Sequence, residues 1–272
     1  MSEQVYIFDG ADPAREQATE DARKTFKYFW RELSWEQRRI VKGLELAVVK
    51  FAFSDGPRTD GQPEYEHMWV GELEFDGETL SGQLINAPNW LSSVQEGDLV
   101  QLPFSHLSDW MMASGGRAYG GFTVNLIRSK MGRAERKQHD DAWSLDFGDP
   151  AVVRVELFSP EKPRSGFLAR LFGNRSKRMD QHDGFEDHPM CVNSLAMIEA
   201  QLKADPAVLH AVDQAGLTLL HTEALAGNFG VVKLLVAHGA NVATRTTSGR
   251  TAGELARGVG WLEIAEYLGE PN

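Results

Sequence analysis

The chain contains a single cysteine, Cys191, among its 272 residues, so it cannot form an internal disulfide. Scarce cysteine is typical of proteins from a reducing compartment. The sequence also lacks any run of about 18 apolar residues, which argues against a membrane-spanning helix. Residues 1–16 do not show a basic segment followed by an apolar one, as a secretory signal would. These absences predict a cytoplasmic protein.

The chain also has no excess of positive charge, because its formal net charge is −11. Nucleic acids and anionic membranes would repel such a chain, so we expect a basic protein as partner and no direct nucleic-acid binding. The negative charge is concentrated between residues 55 and 109, where Arg58 is the only Lys or Arg. The carboxylates of this stretch are Asp55, Asp60, Glu64, Glu66, Glu72, Glu74, Asp76, Glu78, Glu96, Asp98 and Asp109.

Motifs for catalysis and metal binding are not found. Cys191 has no basic or glycine-rich surroundings that would lower the pKa of its thiol, and no Gly-x-Ser-x-Gly elbow occurs. Residues 115–121 contain four glycines but no Gly-Lys-Ser/Thr ending, so a tight turn before a strand explains them better than a phosphate loop. His182, Asp183, Glu186 and His188 lack the paired spacing of zinc ligands. We therefore expect no enzyme, no cofactor and no metal.

The centre of the chain predicts a small antiparallel sheet. Apolar runs at 68–70 and 80–85 flank the dipeptide Asp76-Gly77, a combination typical of a β-hairpin. A third run, 99–104, follows the turn signal Glu96-Gly97-Asp98. Glu72 and Glu74 lie two residues apart, which places both on one face of a strand. That face is either an ordinary solvated surface or an acidic surface that attracts a basic partner.

The flanking segments predict one packing helix and further strands. Residues 14–41 repeat apolar side chains at helical spacing, namely Phe26, Phe29, Trp30, Leu33 and Ile40. Residues 44–53, 122–127 and 152–158 have the composition of strands, and 128–137 form a basic tail. The predicted fold class is α+β: an N-terminal antiparallel-sheet domain with a packing helix, followed by a short all-α domain.

The last 80 residues contain an internal repeat with a period of 33. Gly216-Leu217-Thr218 recurs as Gly249-Arg250-Thr251, and a His238-Gly239-Ala240-Asn241 turn lies between the copies. This pattern resembles the ankyrin repeat. His221, at the histidine position of that motif, is then a structural residue that bonds to backbone. We predict domains at 1–159 and 191–272, the second being a cap plus two repeats packed on the first, with a linker at 160–190.

The first domain is similar to the bacterial YegJ-like domain. The residues that carry the resemblance are Ala22–Phe26 with Trp30, Lys50–Phe53, Glu66–Val70, Gly82, Asn86, Pro88, Gly97-Asp98, Asp109-Trp110 and Gly120–Phe122. The family implies no established activity. A YegJ-like domain joined to ankyrin repeats resembles immunity proteins encoded beside toxins of type VI secretion, some of which are nucleases. The resemblance therefore implies a toxin inhibitor, by association.

The sequence leaves three functions open. The first is a non-enzymatic immunity protein that binds a cognate toxin, expected to be a secreted nuclease, and covers its active site through the acidic sheet or the ankyrin turns. The second is a general ankyrin adaptor, and the third is a small-ligand domain with Trp69, Asp109 and Trp110 around a pocket. We expect the first, with partner contacts at Glu64, Glu66, Glu72, Glu74, Asp76, Glu78, Trp90, Asp98, Asp213 and Arg245.

Overall fold

The computed structural model describes residues 12–57, 63–158 and 186–270. Its N-terminal part is a six-stranded antiparallel sheet with three helices, and its C-terminal part is helical. The predicted α+β class is confirmed. Most of the predicted linker, including His182 and Asp183, lies outside the described residues. Within the described ranges, no helix is both long and apolar enough to cross a bilayer.

Helix α1, Pro13–Arg38, opens the fold. Asp12 caps it by accepting a hydrogen bond from the Ala14 amide, and Pro13 occupies the first turn, where its missing N–H costs nothing. The predicted apolar face is buried at Phe26, Phe29, Trp30 and Leu33. The predicted C-terminal end of the helix was wrong, because the helix stops at Arg38 and Ile40 is fully exposed.

The strands are β1 (Leu46–Phe53), β2 (Glu66–Phe75), β3 (Thr79–Leu84), β4 (Leu99–Pro103), β5 (Leu107–Ser114) and β6 (Arg117–Gly120). Their order in the sheet is β4-β3-β2-β1-β5-β6. The predicted hairpin is present: β2 and β3 pair across Asp76-Gly77, where the Asp76 carboxylate accepts the amides of Glu78 and Thr79. Gly77 has φ +99°, a left-handed conformation that favours glycine.

Helix α1 covers one face of this sheet, and the main core lies between them. Phe26 packs edge-on against Phe75 at a centroid distance of 5.3 Å. The buried Trp110 indole donates to the Ala22 carbonyl at 2.9 Å, and the Arg23 guanidinium donates to the Leu107 carbonyl at 2.7 Å. Polar groups thus fix the orientation of a helix whose burial is driven mainly by apolar contact.

Two helices, α2 (Phe122–Lys130) and α3 (Arg133–Trp143), cover part of the opposite face. The predicted strand at 122–127 and the predicted basic tail at 128–137 were therefore wrong. Arg128 is fully buried and holds the two helices together through paired bonds of 2.8 and 2.7 Å to the Asp140 carboxylate. The strand predicted at 152–158 is also absent, because these described residues form turns and irregular chain.

The C-terminal part begins with α4, Pro189–Ala204, followed by two helix pairs. Thr218 and Thr251, 33 residues apart, cap the first helix of each pair through their hydroxyl oxygens. The His221 ring bonds to Thr218 and, 3.1 Å away, to the Thr244 carbonyl, which is the structural role expected for it. The helix pairs are α5 (Leu219–Leu225) with α6 (Phe229–Ala237) and α7 (Ala252–Val259) with α8 (Leu262–Tyr267).

Candidate functional site

A groove of about 740 Å³ lies on the sheet face that carries α2 and α3. Its floor comes from β1 and β2, one wall from α2 and α3, and the other from the start of α1 and the loop after β3. Small-molecule sites in proteins commonly occupy 300 to 1,000 Å³. The residues that matter most for its chemistry are Arg15, Lys50, Tyr65, His67, Trp69, Trp90, Glu135, His139 and Trp143.

Three residues on adjacent strands form a row at the groove, and two of them, Lys50 and Trp69, line its floor. Lys50 on β1 is paired in register with Trp69 on β2 and with Asp109 on β5. The Lys50 ammonium lies 4.4 Å from the centre of the Trp69 ring and 3.2 Å from the Thr123 hydroxyl oxygen. A cation above an indole face is attracted by the ring quadrupole. Register and stacking therefore hold one positive charge at a defined point of the groove.

Asp109, the third residue of the row, is completely buried and does not line the groove. Its carboxylate accepts the Phe122 amide at 3.0 Å and, from Thr123, the amide at 2.8 Å and the hydroxyl at 2.6 Å. Burial raises the pKa of Asp109, while Lys50 and these hydrogen bonds oppose the rise. The carboxylate fills the N-terminus of α2, where an anion would otherwise bind. The glycine turn before α2 is thus a connection from strand to helix and not a phosphate loop.

His67 lies on the same face of β2 as Trp69, two residues away. Its Nδ1 atom is buried and has no hydrogen-bond partner among the described residues. Desolvation, together with the positive charges of Arg15 and Lys50, lowers the pKa of His67 to about 3. The imidazole is neutral at physiological pH, and the two cations set a positive potential around it.

The loop after β3 forms the rim of the groove and is held in place by hydrogen bonds to Glu66. This carboxylate, 5% exposed, accepts the Asn89 amide at 2.9 Å and the Asn89 side-chain N–H at 2.6 Å, with the Trp90 amide at 3.4 Å. On the other side of the loop, Asn86 accepts the Trp69 amide at 2.9 Å. Glu66 was predicted as a partner contact, but it is occupied inside the protein. Trp90 is half-buried and lines the groove.

The remaining predicted contact residues are spread over three places. Glu64, Glu72 and Glu74 are exposed at and before β2, with Glu72 on a bulge at φ +52°. Asp76, Asp98 and Asp213 each accept amides within their own turns. Glu78 bonds to Arg250 at 2.8 Å, and Arg245 approaches Glu254 at 3.4 Å. The structure therefore does not bring the ten predicted residues into one cluster.

Residues 63–106, which supply the three neighbouring strands β2, β3 and β4 on one side of the sheet, are nevertheless acidic. This stretch has eight carboxylates and neither lysine nor arginine. Five of the eight side chains belong to exposed residues, and we call these five the acidic edge: Glu64, Glu72, Glu74, Glu96 and Asp98.

The ankyrin helices pack against the N-terminal part, as expected. Trp35 of α1 donates to the Asn228 carbonyl oxygen at 2.9 Å, and Arg38 lies 2.8 Å from Glu223 of α5. Near the hairpin turn, a Cβ built on Gly77 would come within 2.6 Å of Leu255 of α7. The helices α5 and α7 and the turn before α7 thus make contacts with the protein's own first domain.

Catalytic or metal-binding clusters are not seen in the described part of the chain. No group of three His, Cys, Asp or Glu residues there could hold a metal ion. The Cys191 thiol is buried, and desolvation together with Asp187 raises its pKa to about 12, which makes it a poor nucleophile. Trp110 lies in the core, so the predicted pocket of Trp69, Asp109 and Trp110 is wrong except for Trp69.

Sequence reasoning missed Arg15, Lys50, His67, His139 and Trp143 as groove residues. One signal was available, because Lys50 is the only charged residue within the apolar strand of residues 46–53. A charge in such a run is uncommon unless it is paired or functional.

Comparison with known proteins agrees with this two-part architecture. A profile of the family described as "Uncharacterized protein conserved in bacteria (DUF2314)" matches residues 12–147. The "Putative ankyrin repeat protein NMB1133/NMB1171" of Neisseria meningitidis serogroup B is 40% identical over 269 residues, which cover 98% of this chain and 97% of that protein. Protein phosphatase 1 regulatory subunit 27 of Mus musculus is 33% identical over 117 residues, 43% of this chain and 73% of the relative.

The "Uncharacterized protein YegJ" of Escherichia coli K12 is 27% identical over 86 residues, which are 32% of this chain and 52% of that protein. These matches agree with the sequence resemblance to YegJ in the first domain and to ankyrin repeats in the second. The chain therefore belongs to the bacterial DUF2314 family, in a form that continues into ankyrin repeats.

Proposed function

We propose that this protein acts without catalysis, by binding another protein, and that the partner is a toxin with a basic surface that it neutralises as an immunity protein. The acidic edge is the observation that carries the proposal. Its five exposed carboxylates lie in a stretch with no compensating lysine or arginine. Such a surface attracts a positively charged partner over long range and speeds association. The active site of a nuclease is positively charged, because it must attract phosphate, and it would therefore be attracted by these carboxylates.

Two further observations support the proposal. The chain is similar along its whole length to a protein whose name describes ankyrin repeats, which are binding modules. In this chain α5 and α7 are already in contact with α1 and the β2–β3 turn. The free surface for a partner therefore includes the acidic edge of the first domain, and this makes a general adaptor acting through the ankyrin face the weaker alternative.

The first experiment is a pull-down of the tagged protein from its native cells, read by mass spectrometry. The expected result is a stoichiometric partner encoded beside it that kills cells when expressed alone and is harmless when co-expressed with this protein. Several unrelated partners would point instead to an adaptor.

Charge reversal then tests the surface. In the triple variant Glu72→Lys, Glu74→Lys and Glu96→Lys, the association rate should fall at least tenfold at low salt and lose most of its salt dependence. Glu78 is kept, because its bond to Arg250 joins the two parts of the protein. The matched control reverses Glu16, Asp141 and Glu266, which are exposed elsewhere and change the net charge equally. Equal effects of both triple variants would show that only the net charge matters and that the edge is not the contact.

A further inference from the structure

The two outer strands of the sheet, β6 and β4, meet solvent differently. Beside β6, the Ala118 amide donates to the Asp146 carbonyl at 3.0 Å, and the Gly120 amide donates to the Arg154 carbonyl at 2.7 Å. The chain thus covers β6 with its own residues 146–154. For β4, the described part of the chain provides one partner strand, β3, and no segment on the other side. The protein therefore closes one border of its sheet and leaves the other open.

The register decides which backbone groups of β4 turn outward. In an antiparallel pair, alternate residues bond to the neighbouring strand, and the residues between them point away from it. The Phe104 amide donates at 2.8 Å to the Glu78 carbonyl at the start of β3, so the even-numbered positions of β4 face β3. The odd-numbered residues therefore point outward. Leu99 and Gln101 each present an N–H and a C=O group, and Pro103 presents a C=O group alone.

These outward backbone groups, which we call the open side of β4, are accessible. Leu99 is 85% exposed, and Gln101 and Pro103 are exposed as well. Within the described residues, no acceptor is seen for the Leu99 or Gln101 amide. An outer strand of this kind is a template for pairing, which proteins often prevent with lysine or proline. Here β4 has no lysine, and Pro103 removes a donor only at the end of the strand.

We propose that the open side of β4 binds a short, extended, basic segment of a partner protein, which pairs with β4 and adds a strand to the sheet. In this mode of recognition, main-chain hydrogen bonds supply affinity and alternate side chains supply specificity. The inference deepens the proposed function and rests on it for the nature of the partner, a protein with a basic surface. It adds the site of contact and the conformation of the bound segment.

The charge around β4 selects a basic segment. Glu96 and Asp98 are exposed immediately before the strand, and β2, β3 and β4 contain no lysine or arginine. Gln101 is in register with Ser81, and Ser81 with Glu74, so the three lie on one face. A lysine or arginine opposite Gln101 would share that face with the exposed Glu74. A second copy of this chain is a poorer occupant, because two chains of net charge −11 repel each other.

The other face of the added strand would meet apolar side chains. Val100 and Leu102 are half-buried and pack against the main core. An apolar side chain beside them would extend that packing, because cross-strand neighbours on one face are in contact. The segment is short, since β4 has five residues and Pro103 ends its row of donors. We therefore expect a segment in which basic and apolar residues alternate.

A peptide tests the pairing on the full-length protein without any toxin. The probe is acetyl-Lys-Val-Lys-Val-Lys-Val-Lys-amide, and its matched control has the same sequence with a methyl group on every internal backbone nitrogen. Calorimetry should show submillimolar binding of the probe and at least tenfold weaker binding of the methylated peptide, which keeps the charge but cannot donate. Equal affinities would show that charge alone attracts the peptide and would overturn the proposal, as would failure of the probe to bind.

Hydrogen exchange measured by NMR locates the contact. The Leu99 and Gln101 amides should exchange rapidly in the free protein, and saturating probe should slow both at least tenfold. The amides of β6 serve as the control, because the chain already covers that strand, and their exchange should not change. Bound probe that leaves Leu99 and Gln101 unprotected would overturn the proposal.

A substitution at Gln101 separates backbone pairing from side-chain contact. Gln101→Pro removes an outward N–H but no bond to β3, and outer strands tolerate proline. It should weaken probe binding at least tenfold, whereas Gln101→Ala, which keeps the N–H, should change it less than threefold. Equal affinity of the two variants would overturn the proposal, and the methylated peptide carries the test if Gln101→Pro does not fold. A wild-type dimer in ultracentrifugation that Gln101→Pro dissociates would assign the open side to a second copy instead.

The outcomes for β4 and for the immunity function are distinguishable. A toxin captured in the pull-down and bound equally by Gln101→Pro and Gln101→Ala would keep the immunity function and exclude β4 as its contact. A probe that binds and protects Leu99 and Gln101, without any toxin in the pull-down, would keep the pairing site and exclude the toxin as its partner.

Discussion

The contact between α1 and the ankyrin helices predicts the largest effect of a single substitution. Four side chains form a closed ring across it, namely Trp35, Arg38, Glu223 and Asn228. The Trp35 indole donates to Asn228 at 2.9 Å, and the Asn228 amide group donates to Glu223 at 2.7 Å. Glu223 pairs with Arg38 at 2.8 Å, and the Arg38 guanidinium lies 4.7 Å above the Trp35 ring. Replacing Glu223 by Ala breaks two of the four links.

The magnitude follows from burial. Glu223 and Asn228 are 1% and 0% exposed, so the Asn228 amide hydrogen would lose its acceptor in a site closed to water. An unsatisfied buried group costs about 1–3 kcal/mol, and a lost charge-assisted bond contributes a similar amount. Arg38 is 34% exposed and can turn to solvent, which keeps the loss below that of a fully buried ion pair. We expect a loss of about 2–4 kcal/mol in the free energy of unfolding and on the order of 10 °C in Tm.

Urea denaturation followed by circular dichroism measures this loss. Glu223→Gln keeps an acceptor for Asn228 and should lose only about half as much. Glu266→Ala, an exposed carboxylate on α8, is the control and should change the free energy of unfolding by less than about 0.5 kcal/mol. A Glu223→Ala protein as stable as this control would refute the reasoning. Two separate transitions in the wild type would also refute it, since two repeats are expected to depend on α1 for their stability.

Three further predictions concern single residues. Gly77→Ala should cost about 1–3 kcal/mol more than Gly97→Ala in urea denaturation, because both glycines have positive φ but only Gly77 would place a Cβ against Leu255. His67 is neutral in the fold, with a pKa of about 3. The free energy of unfolding should therefore fall by up to about 1.4 kcal/mol per pH unit as the pH drops from 6.5 toward 3. The variant His67→Gln should lose this part of the acid sensitivity, as measured by urea titrations at each pH. Cys191 should react with a thiol reagent at pH 7 only as fast as the protein opens, and a rapid reaction with the native protein would contradict its burial.

The loss of stability in acid follows from the direction in which folding shifts the pKa of His67. A lowered pKa means that the folded state binds the proton less readily than the unfolded state does. The stability is therefore full above the ordinary histidine value and is lost as the pH falls through the range down to about 3. A wild type whose stability stays flat across this range would show that the groove hydrates or opens around His67.

Local sequence patterns were sufficient for elements whose stabilising contacts are near in the chain. The spacing of Phe26, Phe29, Trp30 and Leu33 determines one apolar face of α1, and Asp76-Gly77 determines the hairpin turn. The 33-residue period places Thr218 and Thr251 at equivalent helix starts. In each case the pattern repeats at the period of the element itself, so no distant residue is needed to recognise it.

Only the tertiary structure decided the segments that depend on distant partners. Residues 122–127 have the composition of a strand but form α2, because the buried Asp109 carboxylate from β5 satisfies the first amides of the helix. The groove exists because register places Lys50 beside Trp69 and Asp109, and no local pattern specifies that pairing. Acidic residues adjacent in sequence were separated in the same way, with Glu66 turned inward while Glu64 remains at the surface. The sequence by itself determined the elements and the sign of the charge, and the packing of remote segments determined which charges face solvent and which face the groove.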